Sequence, residues 1–62
     1  MPVIRVEMFS GRSIEEKRSI AKELTDAFLR TGGGKPEGVT VILTDVDKED
    51  WAVGGQLVAD RS

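Results

Sequence analysis

Apolar and polar residues alternate from Val3 to Phe9. Ile4, Val6 and Met8 fall on one side of an extended chain, and Val3, Arg5, Glu7 and Phe9 on the other. This spacing predicts a strand with one clearly apolar face, broken by Ser10-Gly11. The period then changes. Ile20, Leu24, Ala27, Phe28 and Thr31 recur at helical spacing. Ala21 widens their stripe, while Lys17, Arg18, Lys22, Glu23, Asp26 and Arg30 lie mostly off it. Ser13 and Glu16 precede the stripe as a capping box: the Ser13 hydroxyl accepts from the Glu16 amide, and the Glu16 carboxylate reaches back to the Ser13 amide. Glu15 and Glu16 also suit the positive end of the helix dipole. A helix of about 18 residues follows, ended by Gly32-Gly33-Gly34 with Gly32 as the left-handed cap.

Lys35-Pro36-Glu37-Gly38 reads as a turn. Val39 to Asp45 forms a second strand, with Val39, Val41 and Leu43 on one face and Thr40, Ile42 and Thr44 on the other. Val46 to Asp50 is a charged loop. Trp51 to Val58 is a small hairpin turning at Gly54-Gly55, and the last four residues are polar enough to fray. Strand, helix, strand is a βαβ unit, and a helical crossover implies parallel strands with a right-handed connection. The expected class is therefore α/β: one domain over residues 1–62, with a parallel pair and a C-terminal β-hairpin. One helix covers one sheet face and leaves both sheet edges open, so other subunits must complete the sheets.

Composition strengthens that expectation. A chain of 62 residues buries only about 60% of the surface its unfolded form exposes, and such chains need a staple. There is no Cys, so no disulfide, and no His, which removes the commonest metal ligand and the commonest general base. Oligomerisation is the staple that remains. The net charge of -2, from 9 basic and 11 acidic residues, disfavours a nucleic-acid partner held through phosphates. No apolar run exceeds three residues. Neither a membrane span nor a signal peptide is expected, and the expected location is the cytoplasm.

Three residues carry candidate chemistry. Pro2 is an odd strand residue, because it has no amide hydrogen to give a ladder. It is either a tolerated strand start or an amine: with Met1 removed, its nitrogen is a secondary amine in a chain without His or Cys. Burial in an apolar pocket beside a cation would draw that amine toward a pKa of about 7, where a general base works best. Arg12, between the first strand and the helix cap, is either a solvated cation or the receptor for a carboxylate. Trp51, the only Trp, is either a pocket wall or an oligomer contact. Gly32-Gly33-Gly34-Lys35 follows a helix and lacks the ending of a phosphate loop. The acids Asp45, Asp47, Glu49 and Asp50 match no metal-loop spacing and read as a solvated face.

Together these features resemble the 4-oxalocrotonate tautomerase family of small tautomerases. The resemblance runs over nearly the whole chain: Met1-Pro2 before a strand, Gly11-Arg12-Ser13, a helix ending at glycine, an apolar second strand, and Trp51-x-x-Gly54-Gly55-x-Leu57. It implies a homohexamer built as a trimer of dimers, working without cofactor or metal. It implies Pro2 as general base and acid, moving a proton from an enol or dienol hydroxyl to carbon in ketonising 2-hydroxymuconate, phenylenolpyruvate or a related carboxylate, chemistry found in aromatic catabolism. Arg12 of a neighbouring subunit would hold the carboxylate, and Trp51 would keep the amine's surroundings apolar. One position departs from the pattern. Thr40 stands where dicarboxylate-processing members carry a second Arg. Losing such a charge-assisted contact costs about 1.5–3 kcal/mol, or one to two decades in rate. Arg5 and Arg61 are the candidate substitutes. The competing expectations are an inactive or differently specialised homologue and a ribbon-helix-helix DNA-binding dimer.

Overall fold

A computed structural model describes residues 2–61. Strand β1 (Val3–Phe9) leads into helix α1 (Ile14–Gly32), then strand β2 (Thr40–Val46), and a short hairpin of β3 (Ala52–Val53) and β4 (Gln56–Leu57). Single 3₁₀ turns occupy Pro36–Gly38, Lys48–Asp50 and Val58–Asp60. β1 and β2 pair in parallel, from Val3 opposite Thr40 to Phe9 opposite Val46, and β3 and β4 pair antiparallel. The expected βαβ unit with a C-terminal hairpin is thus the fold. Among the described residues there is one α-helix, which removes the ribbon-helix-helix alternative.

The register sorts the side chains. Ile4, Val6 and Met8 share a face with Val41, Leu43 and Asp45, and α1 lies on that face, since Lys17 of the helix reaches Asp45 at 2.6 Å. Met8, at 9% exposed, is the one buried hydrophobic residue among those described. The capping box forms as expected: the Glu16 amide donates to Ser13 Oγ at 3.1 Å and the Ser13 amide to Glu16 Oε1 at 3.3 Å.

Several expected details move. Gly32 remains helical, and Gly33 is the cap, with φ 73° and its amide donating to the Leu29 carbonyl at 3.2 Å; a lone glycine does not end a helix until a residue takes positive φ. Lys17, placed off the apolar stripe, is half-buried, because its long stem reaches from the helix to Asp45 on the sheet face below. Thr31, placed on the stripe, is exposed, and its hydroxyl donates back to the Phe28 carbonyl at 3.1 Å. β2 begins and ends one residue later than expected. Of the last four residues, expected to fray, Ala59 and Asp60 join Val58 in a 3₁₀ turn and Arg61 donates to the Val53 carbonyl at 3.4 Å, while Ser62 lies outside the described residues. Gly54 and Gly55 both take positive φ, 62° and 83°, as a two-residue hairpin turn with right-handed twist requires.

The chain is extended for its size. Its radius of gyration is 14.7 Å, against about 10.6 Å for a compact chain of this length. It exposes 4753 Å², roughly 800 Å² more than a compact monomer of its mass. Val3, Phe9, Ile14, Val53 and Leu57 are all more than a third exposed. An excess of that size is about one partner's share of a standard protein interface. No helix among the described residues is long and apolar enough to cross a membrane.

Candidate active site

The sheet has two ends, and each carries half of the candidate residues. Pro2 lies at the N-terminal end of β1 and is half-buried, with its carbonyl accepting the Thr40 amide at 3.0 Å. Proline has no N–H for the ladder, so this bond holds its backbone through the carbonyl and leaves the nitrogen outside the pairing. Thr40 is exposed and opposite Val3, and Arg5 stands on the same sheet face, opposite Ile42. The removal of Met1, on which a free amine depends, lies outside the described residues.

Arg12 and Trp51 belong to the other end, separated from Pro2 by the seven residues of β1, on the order of 20 Å at strand spacing. Gly11, at φ 117°, turns the chain out of β1 and sets Arg12 just before the helix cap. Arg12 Nη1 lies 3.3 Å from Glu16 Oε2, one helical turn away, with both side chains about half exposed. The Glu16 carboxyl is held below its ordinary value, first by the Ser13 backbone amide and hydroxyl, then by the Arg12 charge. One carboxylate therefore both closes the cap and orients the guanidinium.

Trp51 packs on Phe9, with ring centroids 4.5 Å apart and planes tilted by 56°. The Lys48 ammonium sits 6.0 Å from the Phe9 ring centre. The loops carrying Arg12 and Trp51 are tied together: the Ser10 amide donates to the Val46 carbonyl at 3.0 Å, and the Ser10 hydroxyl donates to Asp47. Trp51 is further fixed by its carbonyl, which accepts the Val58 amide at 2.8 Å. Phe9 was not singled out by the sequence pattern, which assigned it only to the outer face of β1. Its place at the strand's last residue, three before Arg12, is the signal that marks it.

The remaining candidates separate. Arg61 reaches the hairpin at Val53 and so does not stand beside Thr40 of its own chain, whereas Arg5 shares the Thr40 face. Gly33 and Gly34 close the C-terminal end of α1, where the dipole repels phosphate. Asp47, Glu49 and Asp50 bring exposed carboxylates within 4.8 Å of one another, while Asp45 is turned away to Lys17. Among the described residues the single chain encloses no cavity.

Comparison with known proteins gives this arrangement a family. The family model for tautomerase enzymes matches residues 2–61. A probable tautomerase of Ralstonia nicotianae is 37% identical over 61 residues, covering 98% of this chain and 94% of that protein. TomN, a 4-oxalocrotonate tautomerase homologue in the tomaymycin biosynthetic pathway, is 42% identical with a TM-score of 0.92, covering 97% of this chain and 92% of its own. A heterohexamer 4-oxalocrotonate tautomerase from Chloroflexus aurantiacus is 32% identical with a TM-score of 0.89, covering 97% of each chain. The chain belongs to the tautomerase family, with the fold of the 4-oxalocrotonate tautomerases.

Proposed function

We propose that this chain is a cofactor-independent tautomerase that ketonises a 2-hydroxydienoate or related enol carboxylate, with Pro2 as its base and acid once Met1 is removed. The enol hydroxyl gives its proton to the Pro2 nitrogen, the enol electrons shift to make the ketone, and Pro2 returns the proton to carbon. No atom is gained or lost. Arg12 binds the substrate carboxylate through its planar fork of donors. Trp51 shields the amine from water, which favours its neutral form.

The observation that carries this reading is the division of the candidate residues between the two ends of one sheet. Pro2 and Thr40 lie at one end, and Arg12 and Trp51 at the other, on the order of 20 Å away. A substrate of a few ångströms cannot touch both ends of one chain. A complete site needs Arg12 and Trp51 from neighbouring copies, in keeping with the surplus surface and the open sheet edges. A homohexamer built as a trimer of dimers meets that need, and the heterohexameric relative from Chloroflexus aurantiacus supports an assembly of that size.

Thr40 supports a second reading, that of a homologue which keeps the assembly without the activity. Intact mass spectrometry followed by a ketonisation assay separates the two. The active reading expects a mass lacking one methionine, with turnover of an enol carboxylate. A Met-free protein without turnover of any such enol establishes the inactive reading.

A further inference from the structure

We propose that Arg5 and Glu7 select a second copy of this chain as the partner for the free edge of β1. The two β1 strands lie antiparallel about Val6, with each Arg5 opposite the other copy's Glu7. This deepens the proposed assembly and rests on it, but not on the proposed reaction.

The backbone settles which residues can face a partner strand. The Pro2 carbonyl accepts the Thr40 amide, and the Ser10 amide donates to the Val46 carbonyl, so the even-numbered residues of β1 turn their polar groups toward β2. Val3, Arg5, Glu7 and Phe9 turn theirs to the opposite edge, on which no strand pairs among the described residues. Such an edge is a template for another strand. A closed pair of identical chains uses the same patch on each copy, which sets the two strands antiparallel.

The order of residues in β1 is self-complementary in that arrangement. About Val6, Val3 meets Phe9, Ile4 meets Met8, Arg5 meets Glu7, and Val6 meets itself. Each pair is apolar with apolar or cation with anion. The odd-numbered residues meet one another, as hydrogen-bonded pairs require. Centring the strands on Arg5 would set Arg5 against its own copy and Glu7 against Val3. Centring them on Glu7 would set Glu7 against its own copy and Arg5 against Phe9. Like charges directly opposite are destabilising. A half-step between these registers sets the apolar face against the charged one. Strand β2 lacks the symmetry: about its middle residue, Leu43, Val41 meets Asp45, which Lys17 already holds.

The same register covers what the single chain leaves bare. Val3 is 52% and Phe9 38% exposed, and each Val3 lands on the other copy's Phe9, which packs on Trp51. Arg5 and Glu7 are exposed, and neither has an ion-pair partner among the described residues. Continued one step, the register sets Ser10 of the second copy opposite Pro2, and Ser10 leads into the loop that carries Arg12. The guanidinium end of one chain thus comes to the amine end of the other.

Two tests read the register directly. The chain has no Cys, so one introduced thiol reports its neighbour. A non-hydrogen-bonded pair stands about 4.5 Å apart at Cα, within disulfide reach. Under mild oxidation Val6→Cys should yield a covalent species of twice the chain mass, while Ile4→Cys, which meets Met8, should not. Charge reversal tests the selection. Arg5→Glu alone and Glu7→Arg alone should each weaken association about tenfold or more, because both cross-strand pairs become repulsive. Mixed together, the two variants should regain wild-type association, since opposite charges then meet at both positions. The double variant Arg5→Glu/Glu7→Arg should associate with itself and not with the wild type. Association without the Val6→Cys crosslink overturns the register, and so does equal crosslinking through Ile4→Cys. Unchanged association in the single reversals, or a mixture that regains nothing, overturns the role of Arg5 and Glu7. A wild type that stays monomeric at every concentration removes the proposed assembly itself, an outcome distinct from the wrong register.

Discussion

Thr40 donates its backbone amide to the Pro2 carbonyl at 3.0 Å, so the first residue of β2 holds the residue that carries the candidate amine. The bond uses no side-chain atom of either residue. It therefore survives substitution at both positions, and the chemistry of each can be tested without dismantling the sheet.

Pro2→Ala should keep the fold and lose the activity. The carbonyl still accepts from Thr40, so the melting temperature should move by only a few degrees. Turnover of the Met-free variant should fall by about a hundredfold or more, the usual worth of a positioned acid–base group. Near-normal turnover would falsify the role given to the Pro2 nitrogen.

Arg12→Ala should act mainly on binding. Its contact with Glu16 spans 3.3 Å between two half-exposed side chains, and pairs of that kind contribute about 0.5 kcal/mol. Thermal stability should barely change, while KM for an enol carboxylate should rise about tenfold, the cost of one charge-assisted contact. A drop in kcat at constant KM would instead place Arg12 in the transition state alone.

Glu16→Gln should change how stability depends on acid. The folded state holds this carboxyl below its ordinary value of 4.5, through the Ser13 amide and hydroxyl and then Arg12. A group whose pKa falls on folding adds stability above its unfolded value and loses it as the pH drops toward the folded one. The wild type should therefore melt higher than Glu16→Gln at neutral pH, with the gap closing below pH 4.5. A gap that stays constant on acidification would show that the charge on Glu16 does not support the cap. Melting curves in matched buffers give the comparison.

Dilution should destabilise the protein. On the proposed assembly, a chain exposing 4753 Å², with Val3 and Val53 about half uncovered, gains its missing burial from other copies, and association shifts stability by mass action. The melting temperature should climb with protein concentration, and sedimentation should give a mass well above 6.8 kDa. A 6.8 kDa species whose melting point ignores concentration would contradict this.

Much of this fold was legible from local pattern. The alternation in β1, the Ser13–Glu16 box and the Gly54-Gly55 turn each depend on residues close in sequence, and each forms as expected. Misplaced details depend on distant partners. Lys17 reads as a surface residue until Asp45, 28 positions away, comes beneath it. The chain after Val58 reads as loose until Arg61 finds the Val53 carbonyl. The candidate site follows the same rule. Pro2, Arg12 and Trp51 stand out by residue type and position, but their division between two sheet ends comes from the strand register. The Phe9–Trp51 pair joins residues 9 and 51, and no spacing within the sequence announces it.

Under the proposed function, the division of the sheet into an amine end and a guanidinium end makes the subunit a donor of two separable half-sites. A chain with Pro2 altered still offers a sound Arg12, and a chain with Arg12 altered still offers a sound Pro2. Unfolded together and refolded as mixed oligomers, two such inactive variants should complement each other, because some of their junctions unite the intact halves. Gene duplication could exploit the same division, letting each copy specialise in one end while neither remains functional alone.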